Sequence, residues 1–544
     1  MTQLNKLQIK AEIMTILSKL QMDIDTPYID DYLSVLYEQD DKNDILDILL
    51  KELNRANEAK SILICLILVK VFDQKFLEDV FWKALENPTV SDAAKTVIIG
   101  VLKDFGNSVD YEKVQHFFED PQQMFDSETQ RLLDNAILNP EAQIDFIDFL
   151  NALNLEDKET LVHSLAKDYS SDELANLLNP IVLYSPDSEI GKQCIDILGE
   201  TKSQLALYTL QELASFCPND EIQNLVKKNI SKLKISGIRE ENAMEFYKNI
   251  LPSTPYEAYA SYPDGHGNQA VIFSREKKDG LLQMVAIVIN DIFGVVDCFG
   301  FNTLSKLEFN SVVNKFYGND ERIYLDEHCI KKLLTDAEIL SRKKGEDISY
   351  EYICWKNLFA DVTCEIVPIK VTLESQLQNK TLNDMEFTKF CMMNFVQKWF
   401  FEPHDNEDFE QLINNLDKKV KEDDFSFDLE SLTAEYTNKI FDNEKIKLLD
   451  TRLLMSAYLK YLSGSRNDAS IIFAVYNDVE RKQELMKNIL RKSIYEHFVS
   501  LKFKQTEDTK TTNIFSLKNK QETPVFPVEK LNKMIQHIEK LWVI

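Results

Sequence analysis

The densest set of residues able to do chemistry falls between positions 264 and 297: Asp264, His266, Asn268, Asp291 and Asp297, with His328 and Glu351 further along. Asp297 stands between apolar Val295 and Phe299, and a carboxylate on such a strand face must be exposed, paired or bound to a metal. If Asp264, Asp291 and Asp297 converged at a sheet edge, they would suit a hard divalent cation that activates water, with His266 as the fourth catalytic candidate. A simpler account competes, because Asp264 and Asp291 also occupy places where aspartate forms turns.

Other chemistries find less support. His328, Cys329, Cys354 and Cys364 could offer nitrogen and sulfur to zinc, but structural zinc sites bring closely spaced ligand pairs, and no Cys-x-x-Cys occurs. No Gly-x-Ser-x-Gly sets a nucleophile on a sharp turn. Gly265 and Gly267 lack the third glycine and following helix of a dinucleotide loop, and there is no phosphate-binding Gly-Lys loop. No cofactor is expected. The aromatic groups Tyr350, Tyr352 and Trp355, and Trp399 to Phe401, read as core or interface anchors.

Composition narrows the partners. Asp and Glu number 90 against 62 Lys and Arg, a formal charge of -28, and such a surface repels a polyphosphate backbone. Lys227, Lys228, Lys232 and Lys234 cluster without interleaved aromatics, so nucleic acid is not an expected partner. The chain has 544 residues, 44% of them hydrophobic, enough apolar surface to fold several domains. Its eight cysteines are scattered, which fits reduced thiols in a cytoplasmic setting. Met1 to Leu20 lacks the basic-then-apolar pattern of a signal peptide. The strongest apolar run, Ser61 to Phe72, is too short to span a bilayer, and no membrane partner is expected.

The positioning elements are mostly helices. Thr26-Pro27 and Asn139-Pro140 supply an N-cap followed by proline, and Ser127-x-x-Gln130 has capping-box spacing. Ile45, Leu46, Leu49, Leu50 and Leu53 form one helical stripe, and Ile144, Phe146, Ile147 and Leu150 another. Helices this short must bury their stripes against neighbours. Between Asp187 and Ile238, Leu198-Gly199 ends one helix, Leu205, Ala206, Leu210, Leu213 and Ala214 alternate small and large on the next, and Asp220 precedes a third. This stretch resembles the HEAT repeat family, which implies a curved stack over residues 1–245 presenting a surface to another macromolecule. An irregular helical bundle is the competing architecture.

Composition changes at Pro252. Pro255 and Pro263 follow, and seven of the thirteen glycines lie between Gly265 and Gly345, so an α+β domain is expected over 252–375. Its strands are Tyr256 to Tyr262, Gln269 to Arg275, Leu281 to Asn290 and Val295 to Phe301, an antiparallel meander joined by glycine turns. The third is apolar on both faces and should be internal. Ser305-x-x-Glu308 opens a covering helix with Phe309, Val312, Val313 and Phe316, and Glu327 to Arg342 and Tyr350 to Leu358 follow. The order Asn290-Asp291, Phe293-Gly294-Val295, Asp297 and then a capped helix resembles a domain of bacterial proteins with no assigned activity; it implies context and no mechanism.

Beyond it a helical domain is expected over 381–502, with segments Asp384 to Phe401, Glu407 to Lys421, Leu429 to Phe441, Asn443 to Ser463 and Ala469 to Lys502. A polar linker at 503–524 and an amphipathic helix at 525–544 close the chain. That helix, with Leu531, Ile535, Ile538 and Trp542 on one face, either folds back or docks in a partner groove. The reading is a mainly α protein: a HEAT-like helical-repeat N-terminal half, a central α+β domain with an antiparallel meander, and a helical C-terminal region. Its expected role is a non-enzymatic scaffold or adaptor binding protein partners through the repeat surface; the alternative is a metal-dependent hydrolase on the meander.

Overall fold

A computed structural model describes residues 4–22, 29–39, 42–106, 114–137, 139–239, 243–251, 253–364, 367–377, 380–508 and 527–541. Their packing forms two units, Met1–Asp134 and Asn135–Ile544.

The first unit holds α1 (Lys6–Met22), α2 (Ile29–Tyr37), α3 (Asn43–Leu53), α4 (Glu58–Val71), α5 (Gln74–Leu85) and α6 (Asp92–Asp104), and α7 (Pro121–Ala136) ends at its boundary. Asn57, Asp73 and Ser91 open α4, α5 and α6 by accepting from backbone N–H groups that have no partner within the helix. The Thr26-Pro27 cap lies outside the described residues, and Ser127 lies inside α7 instead of opening a helix. The run Ser61 to Phe72 is α4, contacted by α1, α2, α3, α5 and α6. A helix contacted from so many sides sits at the centre of this unit's packing. Its 14 residues rise about 21 Å, and no helix among the described residues is long and apolar enough to cross a membrane. Lys95 is buried on α6, and its Nζ donates to the Phe117 carbonyl at 2.5 Å.

The second unit begins with α8 (Pro140–Ala152), α9 (Leu155–Asp168), α10 (Ser171–Tyr184), α11 (Glu189–Leu198), α12 (Gln204–Phe216), α13 (Asp220–Ile235) and α14 (Ala243–Ile250). Asn139 caps α8 as the sequence predicts. The helices lie in two rows, consistent with repeats: α9, α11 and α13 in one, α8, α10 and α12 in the other. Gly199, of the Leu-Gly pair, permits a close approach, since a Cβ there would meet Asn229 Oδ1 of α13 at 2.1 Å.

The sheet follows as β1 (Ser253–Ser261), β2 (Asn268–Lys277), β3 (Leu282–Asn290), β4 (Gly294–Leu304) and, after α15 (Lys306–Tyr317), β5 (Arg322–Tyr324). Its five strands run antiparallel in the order β4-β3-β2-β1-β5. The expected meander is present, β3 is internal and buried almost throughout, and β5 is an added edge. Ser305 and Glu308 close the predicted capping box on α15. One face of the sheet packs against α15, through Phe309, Val313 and Tyr317. The other meets α16 (Glu327–Lys344), with α17 (Tyr350–Trp355) against β4.

The boundary expected near 252 marks a change of secondary structure and not of packing. Helix α17 lies against α8, α10 and β4 together, so residues 135–245 share a unit with the sheet.

The remaining helices are α18 (Ile369–Gln376), α19 (Asp384–Cys391), α20 (Glu407–Lys421), α21 (Leu429–Ile440), α22 (Asn443–Leu462), α23 (Arg466–Asn477), α24 (Val479–Asp508) and α25 (Val528–Leu541). Two expectations shorten. The helix foreseen to Phe401 stops at Cys391 and gives way to 3-10 turns. The one foreseen from Ala469 to Lys502 is broken at Asp478, whose carboxylate accepts from the N–H groups of Glu480 and Arg481. The expected linker begins inside α24, which continues to Asp508; from 509 on it lies outside the described residues.

Candidate functional site

The meander residues are committed to structural bonds. Asp264 Oδ1 accepts from the backbone N–H of His266 (2.9 Å) and of Asn268 (2.8 Å), shaping the β1–β2 turn. Asp291 forms a two-pronged pair with Arg452 of α22, at 2.6 and 3.1 Å, and both side chains are nearly buried. Arg452 also donates to the Gly265 carbonyl at 2.6 Å. His266 is half-exposed, with Nδ1 3.7 Å from Asp405. His328 sits apart, its Nδ1 2.6 Å from the Thr363 hydroxyl.

Asp297 serves the sheet edge. Among the described residues β4 has no strand on its outer side, and three of its N–H groups donate to side chains: Val295 to Ser341 Oγ, Cys298 to Asp297 Oδ1 and Asn302 to Glu141 Oε2. Trp355 packs over Gly300 between the last two. Side chains thus occupy an edge that would otherwise recruit another strand. Among the described residues no group of three or more His, Cys, Asp or Glu could hold a metal ion, and Asp264, Asp291 and Asp297 do not form the shared cluster envisaged for them.

The face of α25 is covered within the unit. Leu531, Met534 and Ile538 are fully buried and Ile535 nearly so, against α20 and α24. Lys530 Nζ donates to the Lys421 carbonyl at 2.6 Å, and Lys533 pairs with Asp423. This is the fold-back arrangement, so Leu531, Ile535 and Ile538 are not open to a partner here; Trp542 lies outside the described residues.

The strongest concentration of buried charge escaped the sequence reading. It lies where α12 meets α16 and α17. Lys356, at the end of α17, contacts Glu212 of α12 and Glu338 of α16, the latter at 3.2 Å. Glu338 also receives Arg342 at 2.6 Å and the Tyr352 hydroxyl at 3.1 Å, while Arg342 stacks 3.4 Å over Phe216. Burial alone would raise the Glu338 carboxyl, but Lys356 and Arg342 outweigh it and hold it at about 2. Burial likewise opposes the Lys356 charge, yet Glu212 and Glu338 carry its affinity for the proton above the ordinary value.

A cleft of about 680 Å³ opens on this network. From α16 it takes Lys331, Thr335, Glu338 and Arg342, which share one helix face by their spacing. That polar stripe is the signal the sequence carries, beside an equally regular core stripe of Ile330, Leu333, Leu334 and Ala337.

Comparisons with protein-family models, with curated proteins and with solved structures found no match. The function is therefore read from the chemistry of these surfaces.

Proposed function

We propose that the chain is a non-enzymatic adaptor that holds a protein partner, with the helical rows as support and the half-covered sheet face as docking surface. The observation that carries this reading is Phe299. It stays 38% exposed, although it joins an edge-to-face cluster with Phe301 and Phe316 at 6.1 and 5.5 Å. A helix with its side chains is about 10 Å across, whereas five strands span about 20 Å. Beside α15 on this face, aromatics remain at both flanks among the described residues: Phe299 on the β4 side, and Tyr259 with exposed Tyr324 on the β5 side. Exposed aromatic groups of this kind anchor protein interfaces.

This reading moves the partner surface off the repeat rows. The row of α8 and α10 is covered by α17, and the row of α11 and α13 carries a solvated ion-pair ladder, Lys192 with Glu221 and Lys232 with Glu200. The eight free cysteines support a cytoplasmic setting. The test compares proteins captured from the native host by the wild type, by Phe299→Asp and by Lys228→Glu on the charged row. A partner lost with Phe299→Asp and kept with Lys228→Glu, and bound directly by the purified wild type, supports the reading. A partner that survives Phe299→Asp overturns it.

A further inference from the structure

The cleft beside α16 carries a charge opposite to that of the chain as a whole. Among the described residues lining the cleft, Lys331, Arg342, Lys343 and Lys356 face the carboxylates of Glu212 and Glu338, in a protein of formal charge -28. Lys356 and Arg342 take up both carboxylates. Lys331 and Lys343 are left without an ion pair among the described residues. Lys343 is exposed at the rim. Lys331 is half-buried, with its Nζ 4.9 Å over the Phe359 ring. A cation withdrawn from water without an acidic partner is costly unless something of opposite charge joins it.

The shape of the cleft agrees with the charge. Its volume of about 680 Å³ falls within the range of small-molecule sites, about 300–1,000 Å³. Phe359, Tyr247 and Ile339 supply flat or apolar wall beside the cations. A divalent metal would meet an excess of positive charge and is disfavoured.

We propose that this cleft binds a small organic oxyanion, a phosphate or carboxylate on a flat apolar body, with the charged end between Lys331, Arg342 and Lys343 and the body against Phe359 and Ile339. Burial lowers the affinity of Lys331 for its proton, and a bound anion would favour the charged form. The site is independent of the sheet face on which a protein partner is proposed to dock.

Pyridoxal 5′-phosphate tests the proposal on the full chain, because it joins an oxyanion, a flat ring and an aldehyde. The aldehyde carbon condenses with the Lys331 Nζ, releasing water, and hydride from borohydride reduces the C=N bond to a stable amine that peptide mapping locates. Lys331 is expected to be labelled ahead of the other lysines at low reagent, and Lys331→Met to abolish that labelling. Pyrophosphate and citrate serve as competitors, and protection by one of them distinguishes a phosphate from a carboxylate ligand. Lys343→Glu, an exposed change that leaves the fold intact, should reduce labelling of Lys331 by roughly fivefold through charge alone. Labelling spread over lysines according to exposure, protection by neither anion, or an unchanged rate in Lys343→Glu would each overturn the site.

Discussion

Gly300 lies directly beneath Trp355: a Cβ there would come 2.3 Å from ring carbon Cε2 and 2.7 Å from the Met284 carbonyl oxygen. Trp355 is fully buried on α17, so the ring has no room to retreat, and the carbonyl belongs to the neighbouring strand. Gly300→Ala should therefore cost about 1–3 kcal/mol, as overpacking of a rigid core does. The measurement is the urea midpoint followed by tryptophan fluorescence; an unchanged midpoint would mean that the β4–α17 packing is looser than described.

The Asp291–Arg452 pair ties the β3–β4 turn to α22. Both side chains are nearly buried, and removing one partner strands the other's charge, at a cost of about 3–5 kcal/mol. Arg452→Met is expected to destabilise strongly, and Asp291→Leu in the same chain to recover part of the loss. A double-mutant cycle in urea checks this. Additive losses would show that the pair does not couple.

These contacts mark how far the sequence could be read. The caps at Asn139 and Ser305, the four-strand meander and the apolar stripes of α15 and α25 depend on neighbours within a few residues, and these were legible. Asp291 was legible as a turn former; its bond to Arg452 was not, because 161 residues separate them. Asp297 was rightly restricted to exposure, pairing or a metal, but only the sheet order shows that it meets the Cys298 N–H on an edge strand. Glu212, Glu338 and Lys356 come together from three helices, and each looked like ordinary surface charge. Asp478 broke a helix because its carboxylate caps the next one, a competition that apolar periodicity does not register.

Glu338 ties the stability of the α12–α16 seam to acid. Its carboxyl is held at about 2 in the folded chain against an ordinary 4.5. A group whose affinity for the proton is lowered by folding adds stability above its unfolded value and loses it as pH falls through the folded one. The window is therefore from about 4.5 down to about 2, and the contribution at neutral pH is about 3 kcal/mol. Thermal melts across that window should show Glu338→Gln with a shallower acid loss than the wild type, though a lower melting temperature at pH 7. Parallel curves would remove Glu338 from the acid response.

The tail helix supplies the last test, because its apolar face already has an occupant. Leu531, Met534 and Ile538 are fully buried against α20 and α24, while the polar ties at Lys530 and Lys533 are exposed and contribute little. Apolar burial thus holds α25 in place. Ile538→Asp sets a charge into that contact and should free α25, whereas Lys533→Ala should leave it docked. Hydrogen exchange followed by mass spectrometry would show faster exchange in α20 and α24 for Ile538→Asp alone. Because α25 packs on these helices, exchange in β2 and β3 should be unchanged; a rise there as well would mean that the tail supports the whole unit and is not a separable cover.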